Sequence, residues 1–191
     1  TQLWDKVVYN IIPDDTSMAL AAQSGQLDYV HIMGFAPDTF SIYENIGSMT
    51  FNSYESTNSS YIALNTAKAP FDDVTLRKAC AYAIDKEAIT QAIGQGYANV
   101  SKGVPMPSTM YYMDEDAWNY ALDNTIVNYT YDLDKAKEYL AKSAYPDGTS
   151  VVLYTTSTNK ALAETVQYQL SQINVNVEIN EMLQSESYEI S

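Results

Sequence analysis

The chain has 191 residues, enough for one sizeable core or two small ones, and 46% hydrophobic with 18% charged residues excludes a disordered polypeptide. Its 24 acidic and 10 basic residues give a net charge of −14, which excludes a binder of nucleic acid or of an anionic membrane surface, because both need clustered Lys and Arg. No apolar run reaches membrane-spanning length, and a single cysteine rules out an internal disulfide or a Cys-rich metal site.

Lys6 to Ile12 is apolar and β-branched and predicts a strand. Pro13-Asp14-Asp15 predicts a turn, with Asp15 or Thr16 capping a helix that runs to Gln23 and stops at Gly25. Leu27 to Met33 predicts a second strand, which makes a βαβ unit. A short helix opens at Pro37 and closes near Gly47, and Met49 to Glu55 is extended. The polar run Ser56 to Ser60 reads as a linker. Tyr61 to Leu64 predicts a strand, and Asp72 or Asp73 caps the helix that follows. Val74, Leu76, Ala79, Cys80, Ala83 and Ile84 approximate one helical face, so Cys80 reads as a small core residue. Asp85 interrupts that pattern and caps a second helix, ended by Gly94 and Gly96. From Val104 to Tyr131 no period is visible, and a long surface loop is expected. Asp132 starts a helix to about Ala144. A buried-type strand over 150–155, a helix over 160–173 and an alternating strand over 175–179 make another βαβ unit.

Four of these segments, in order, resemble the extracellular solute-binding proteins of ABC importers, the oligopeptide/dipeptide-binding family. They are IIPDDTSMALAAQSGQLDYV, YIALNTAKAPFDDVTLRKACAYAIDKEAI, YDLDKAKEYLAKSAYPDG and VVLYTTSTNKALAETVQYQLSQINVNVEI. The resemblance implies an incomplete α/β fold of the periplasmic-binding-protein type: two lobes, mixed sheets with flanking helices, and βαβ units. It implies that residues 1–57 belong to one lobe and 58–191 to the other, with Thr57 and Asn58 in a hinge. It implies an internal fragment, since the family extends before Thr1 and continues after Ser191 with a Gly-Trp-containing segment. The implied function is capture of extracellular peptides in an interlobe cleft and delivery to the transmembrane permease subunits, by a protein that is periplasmic or a cell-surface lipoprotein. Other members of the fold imply alternatives: a sugar oligomer, an opine or a metal chelate as the solute, or a peptide-signal receptor.

Tyr61 and Ala63 share one strand face, and in relatives this strand borders the cleft. Tyr61 packs either on a ligand or against the following helix. Thr155 begins a polar loop that leads from strand to helix, a place where open α/β sheets bind ligands. Lys160 either pairs with a peptide carboxylate or is a solvated side chain beside a helix capped by Ser157 or Thr158; the latter is the commoner arrangement. Trp118 and Tyr111-Tyr112 stand between cleft surface and core. No nucleophile elbow, phosphate loop or Cys/His pair points to an enzyme, and the lone His31 points to no metal or cofactor.

Overall fold

The structure, a computed structural model, describes residues 3–32, 37–53, 59–101, 115–124, 127–183 and 186. The chain divides into two compact units, Thr1–Glu55 and Ser56–Ser191. The expected hinge residues Thr57 and Asn58 lie outside the described residues, as do Tyr111 and Tyr112.

In the first unit, α1 (Asp15–Gln23) is capped one residue earlier than expected: Asp14 accepts a 2.7 Å hydrogen bond from the Ser17 amide. Gly25, at φ +73°, ends it in a conformation that L side chains rarely adopt. Helix α2 (Pro37–Glu44) supplies Tyr43, which with Ala19, Ala22 and Ile46 forms a small core. The two strands expected here are not formed. Residues 6–12 are irregular and almost wholly exposed, and 27–32 are irregular as well. Within 27–32, Val30 and Ile32 still pack inward while Tyr29 and His31 face water, so the alternation is that of a strand. A strand exists only through its ladder, and among the described residues neither segment has a partner.

The second unit holds the larger core. Helix α3 (Val74–Ala83) is capped by Asp73, whose carboxylate accepts from the amides of Thr75 and Leu76. Its second oxygen accepts from the Ala144 amide at 2.6 Å, tying the start of α3 to the turn beyond α6. Leu76, Ala79, Cys80 and Ala83 are buried as expected, whereas Val74 at the first turn faces solvent. Asp85 caps α4 (Lys86–Gly94) through the Ala88 amide, so the helix restarts where its apolar face breaks. Residues 61–64, expected as a strand, carry no ladder among the described residues.

Helix α5 (Glu115–Asn124) corrects the expectation of an unbroken loop over 104–131. Trp118, Ala121 and Leu122 do stand at helical spacing, but over little more than one turn and within a segment that opens on Pro105 and Pro107, so the signal is weak. Helix α6 (Leu133–Ala141) is capped by Asp132 and buries Ala136 and Leu140. Tyr82 stacks on Tyr139 at 5.5 Å and meets Tyr129 edge-on at 5.1 Å, with Lys135 over its ring. Such half-wet aromatic clusters are one use of the chain's 17 tyrosines.

Strand β1 (Thr149–Thr155), helix α7 (Lys160–Ser171) and strand β2 (Val175–Glu181) form the expected βαβ unit, with β1 and β2 parallel in register from Thr149↔Val175 to Thr155↔Glu181. Val166, Leu170, Ile173, Val175 and Val177 join the α3 and α6 residues in one core. Gly148, at φ +102°, lets β1 begin against Asn174, whose carbonyl accepts from the Thr149 amide at 3.1 Å.

Candidate functional site

The parallel register brings the carboxyl ends of β1 and β2 together, Thr155 beside Glu181. The Met182 amide extends the pairing by donating to the Thr155 carbonyl at 2.9 Å. Beyond these ends the chain leaves β1 through Thr156 and a 3-10 turn (Ser157–Asn159) into α7. An open cavity of about 380 Å³ lies there. Its lining includes Thr156, Ser157 and Thr158 from the loop, and Glu181, Met182 and Glu186 from the segment at and after the end of β2.

The expected capping of α7 by Ser157 or Thr158 is not observed. Asn159 is the N-cap, and neither its side chain nor that of Thr156, which caps the turn, hydrogen-bonds to the amides that follow. The Thr156 hydroxyl is therefore not consumed in capping the turn. Thr156 is only 8% exposed, and its Oγ1 is buried without a hydrogen-bond partner among the described residues. Leaving a buried hydroxyl unpaired costs about 1–3 kcal/mol, so such an atom beside a cavity is suited to a polar group from outside the chain.

Lys160 keeps about half of its side chain exposed and carries an ion pair. Its Nζ lies 3.0 Å from Oε2 of Glu181, and this carboxylate holds the ammonium above its usual range. The pair bridges the start of α7 and the end of β2 and reduces the net charge of the cavity wall. Glu186 is also engaged, accepting from the Leu183 amide at 3.0 Å. What remains is a lining of hydroxyls, helix N-terminal amides and partly satisfied carboxylates, able to hydrogen-bond both donors and acceptors.

Thr155 borders this site, although it is Thr156 that lines the cavity; the Thr155 hydroxyl leans on the Thr156 carbonyl at 3.4 Å. Tyr61 and Ala63 are not part of it. Tyr61 is 71% exposed, which removes the reading of a tyrosine buried against the following helix. Ala63 lines a separate, apolar cavity. His31 is exposed, and no group of three metal-ligating side chains exists among the described residues. No helix among the described residues is long and apolar enough to cross a membrane. The sequence pointed to the loop that holds Thr156 but not to Glu181 or Glu186. The available signal was register: once β1 and β2 are parallel, the ends of both strands must meet at this loop.

Residues 2–190 match the family model of bacterial extracellular solute-binding proteins, family 5. The chain is 35% identical over 144 residues to heme-binding protein A of Haemophilus influenzae, a match covering 75% of this chain and 24% of the relative. It is 27% identical over 181 residues to a glutathione-binding protein of Salmonella typhimurium, covering 93% of this chain and 33% of the relative. Among solved structures, the periplasmic binding protein DppA of Helicobacter pylori in complex with the peptide STSA superposes with a TM-score of 0.75 at 27% identity, over 92% of this chain and 32% of that one. The chain thus spans a quarter to a third of the length of the relatives it matches.

Proposed function

Because this chain belongs to the bacterial extracellular solute-binding proteins of family 5, we propose that it is part of the substrate-binding component of an ABC importer. In this reading the protein captures small peptides outside the cytoplasmic membrane, in a cleft between two lobes. It then presents them to the transmembrane permease subunits. Residues 1–57 contribute to one lobe and 58–191 to the other, with Thr57 and Asn58 in the hinge. Closure is a population shift, because a ligand that touches both lobes stabilises the closed form. A lipid anchor or a periplasmic life both suit this role.

The observation that carries the site is the buried Thr156 hydroxyl, unpartnered among the described residues, beside the cavity at the carboxyl ends of β1 and β2. A peptide offers main-chain N–H and C=O groups that would satisfy it and the neighbouring Ser157 and Thr158 hydroxyls. Thr155 shapes the loop, and Lys160 keeps Glu181 partly neutralised at its edge. Tyr61 presents its exposed ring to a ligand from a different part of the second unit. Two matched proteins carry names or complexes that point to peptides: DppA with STSA, and the protein named for glutathione, itself a modified tripeptide.

A second reading, a non-peptide solute, is favoured by the 35% identity to a protein named for heme binding. Calorimetric titration of the complete polypeptide carrying this chain separates the two. Tri- and tetrapeptides are expected to bind, and Thr156→Val to weaken them about tenfold by leaving a ligand polar group unpaired. Binding of heme without peptide would favour the second reading, and an unchanged affinity in the variant would remove Thr156 from the site.

A further inference from the structure

The cavity at the carboxyl ends of β1 and β2 has two carboxylates in its wall, Glu181 and Glu186. Each is held by one oxygen. Lys160 meets Oε2 of Glu181 at 3.0 Å, and the Leu183 amide donates to Oε2 of Glu186 at 3.0 Å. The Oε1 atoms of both have no hydrogen bond among the described residues. Glu164 of α7 also acts on the Lys160 ammonium, so this lysine balances only part of the local negative charge. The net charge of −14 of the whole chain adds a field of the same sign.

Carboxylates gathered at a strand end are commonly no more than a solvated face. Here a separate observation points to a ligand: Thr156, 8% exposed, lines the same cavity, and its Oγ1 has no hydrogen-bond partner among the described residues. Ionised carboxylates only accept hydrogen bonds, whereas the hydroxyls of Thr156, Ser157 and Thr158 accept or donate. The fixed demand of the lining is therefore for donors. A peptide main chain brings N–H and C=O groups together, and its carbonyls would face the carboxylates. An ammonium or a guanidinium brings several donors and no acceptor. Met182 and Leu183 also line the cavity, and their apolar surface suits the methylene stem that carries such a group.

We propose, resting on the peptide-binding reading above, that this cavity selects a basic side chain of the captured peptide, the ammonium of Lys or the guanidinium of Arg, with Glu181 and Glu186 setting the preference. The cation donates to the two carboxylates and to Oγ1 of Thr156, and its stem lies against Met182 and Leu183. Lys160 keeps Oε2 of Glu181 and holds that side chain at the end of β2. Charge-assisted bonds of this kind discriminate by sign, because a wrong partner leaves like charges facing each other.

Calorimetric titration of the complete polypeptide tests this with trialanine and with its single Lys, Arg, norleucine and Glu variants at each position. At one position, Lys or Arg is expected to bind about tenfold tighter than norleucine, which has a similar stem without the charge. Glu at that position should bind more weakly than norleucine, and added salt should shrink the Lys preference. Glu181→Gln and Glu186→Gln keep an acceptor oxygen and remove the charge. Each is expected to cut the Lys-to-norleucine affinity ratio about threefold. Equal affinity for the Lys, norleucine and Glu peptides would overturn the proposal while leaving peptide capture intact, and a preference for Glu would overturn its sign. Absence of binding by every peptide would remove the peptide reading and this proposal together. An equal loss for Lys and norleucine peptides in the Gln variants would assign the carboxylates to the amino terminus that both peptides share, and would overturn the choice of a side chain.

Discussion

Asp73 shows how much one side chain can organise. Its carboxylate accepts from the amides of Thr75, Leu76 and Ala144, and the bond from Ala144 foremost draws it below the usual carboxylate range. Asp73→Ala is expected to cost about 1–2 kcal/mol by chemical denaturation, the value of a lost N-cap. The folded pKa lies below the unfolded one, so the stabilisation is complete above about pH 4 and is lost as pH falls through the folded value. Asp14 and Asp132 are depressed in the same sense, each by bonds at its own helix start. Melting temperature should therefore fall from pH 5 to pH 3, and Asp73→Asn should flatten that fall; an identical pH profile would contradict it. Cys80 is moved the other way, its thiol pushed up to about 11 by burial. Its alkylation at pH 8 should run roughly a hundredfold slower than in denaturant, since the thiolate is the nucleophile. Comparable rates would mean that the core around α3 is open.

At the scale of elements, what was legible in the sequence was what is decided locally. The break at Asp85 was visible because a capping aspartate acts within one turn, and the 150–181 βαβ unit because Val175, Val177 and Ile179 alternate with polar residues. Residues 6–12 and 61–64 read as strands from composition, but a ladder depends on partners that composition does not name. The site divides the same way. The polar loop after Thr155 was evident, while the Lys160–Glu181 pair depends on register across 21 residues. Two substitutions test the packing of these elements. Leu76→Ala removes a wholly buried side chain and should cost about 2–5 kcal/mol in denaturant melts. Gly148→Ala would drive a Cβ into Asn174 at a positive φ and should lower Tm, whereas Gly25→Ala meets no neighbour and strains only its own backbone. Equal losses at the two glycines would argue against the close start of β1 on Asn174.

For the whole molecule, two compact units and a polar run between them suit a protein that works by closing on its ligand. The chain covers 24% and 33% of two matched relatives, so the proposed reading expects residues 1–191 to supply only part of the contacts to a ligand. Half a cleft supplies a fraction of the contacts and no closure, and the lost terms of binding energy fall on affinity directly. The central claim is therefore tested most directly by isothermal titration of a mixed di- to pentapeptide pool into the ligand-free complete polypeptide, with residues 1–191 run in parallel. Saturable heat is expected from the complete polypeptide, and weak or no binding from residues 1–191. Silence from the folded complete polypeptide would contradict peptide capture, and submicromolar binding by 1–191 alone would contradict a cleft that needs the rest of the protein.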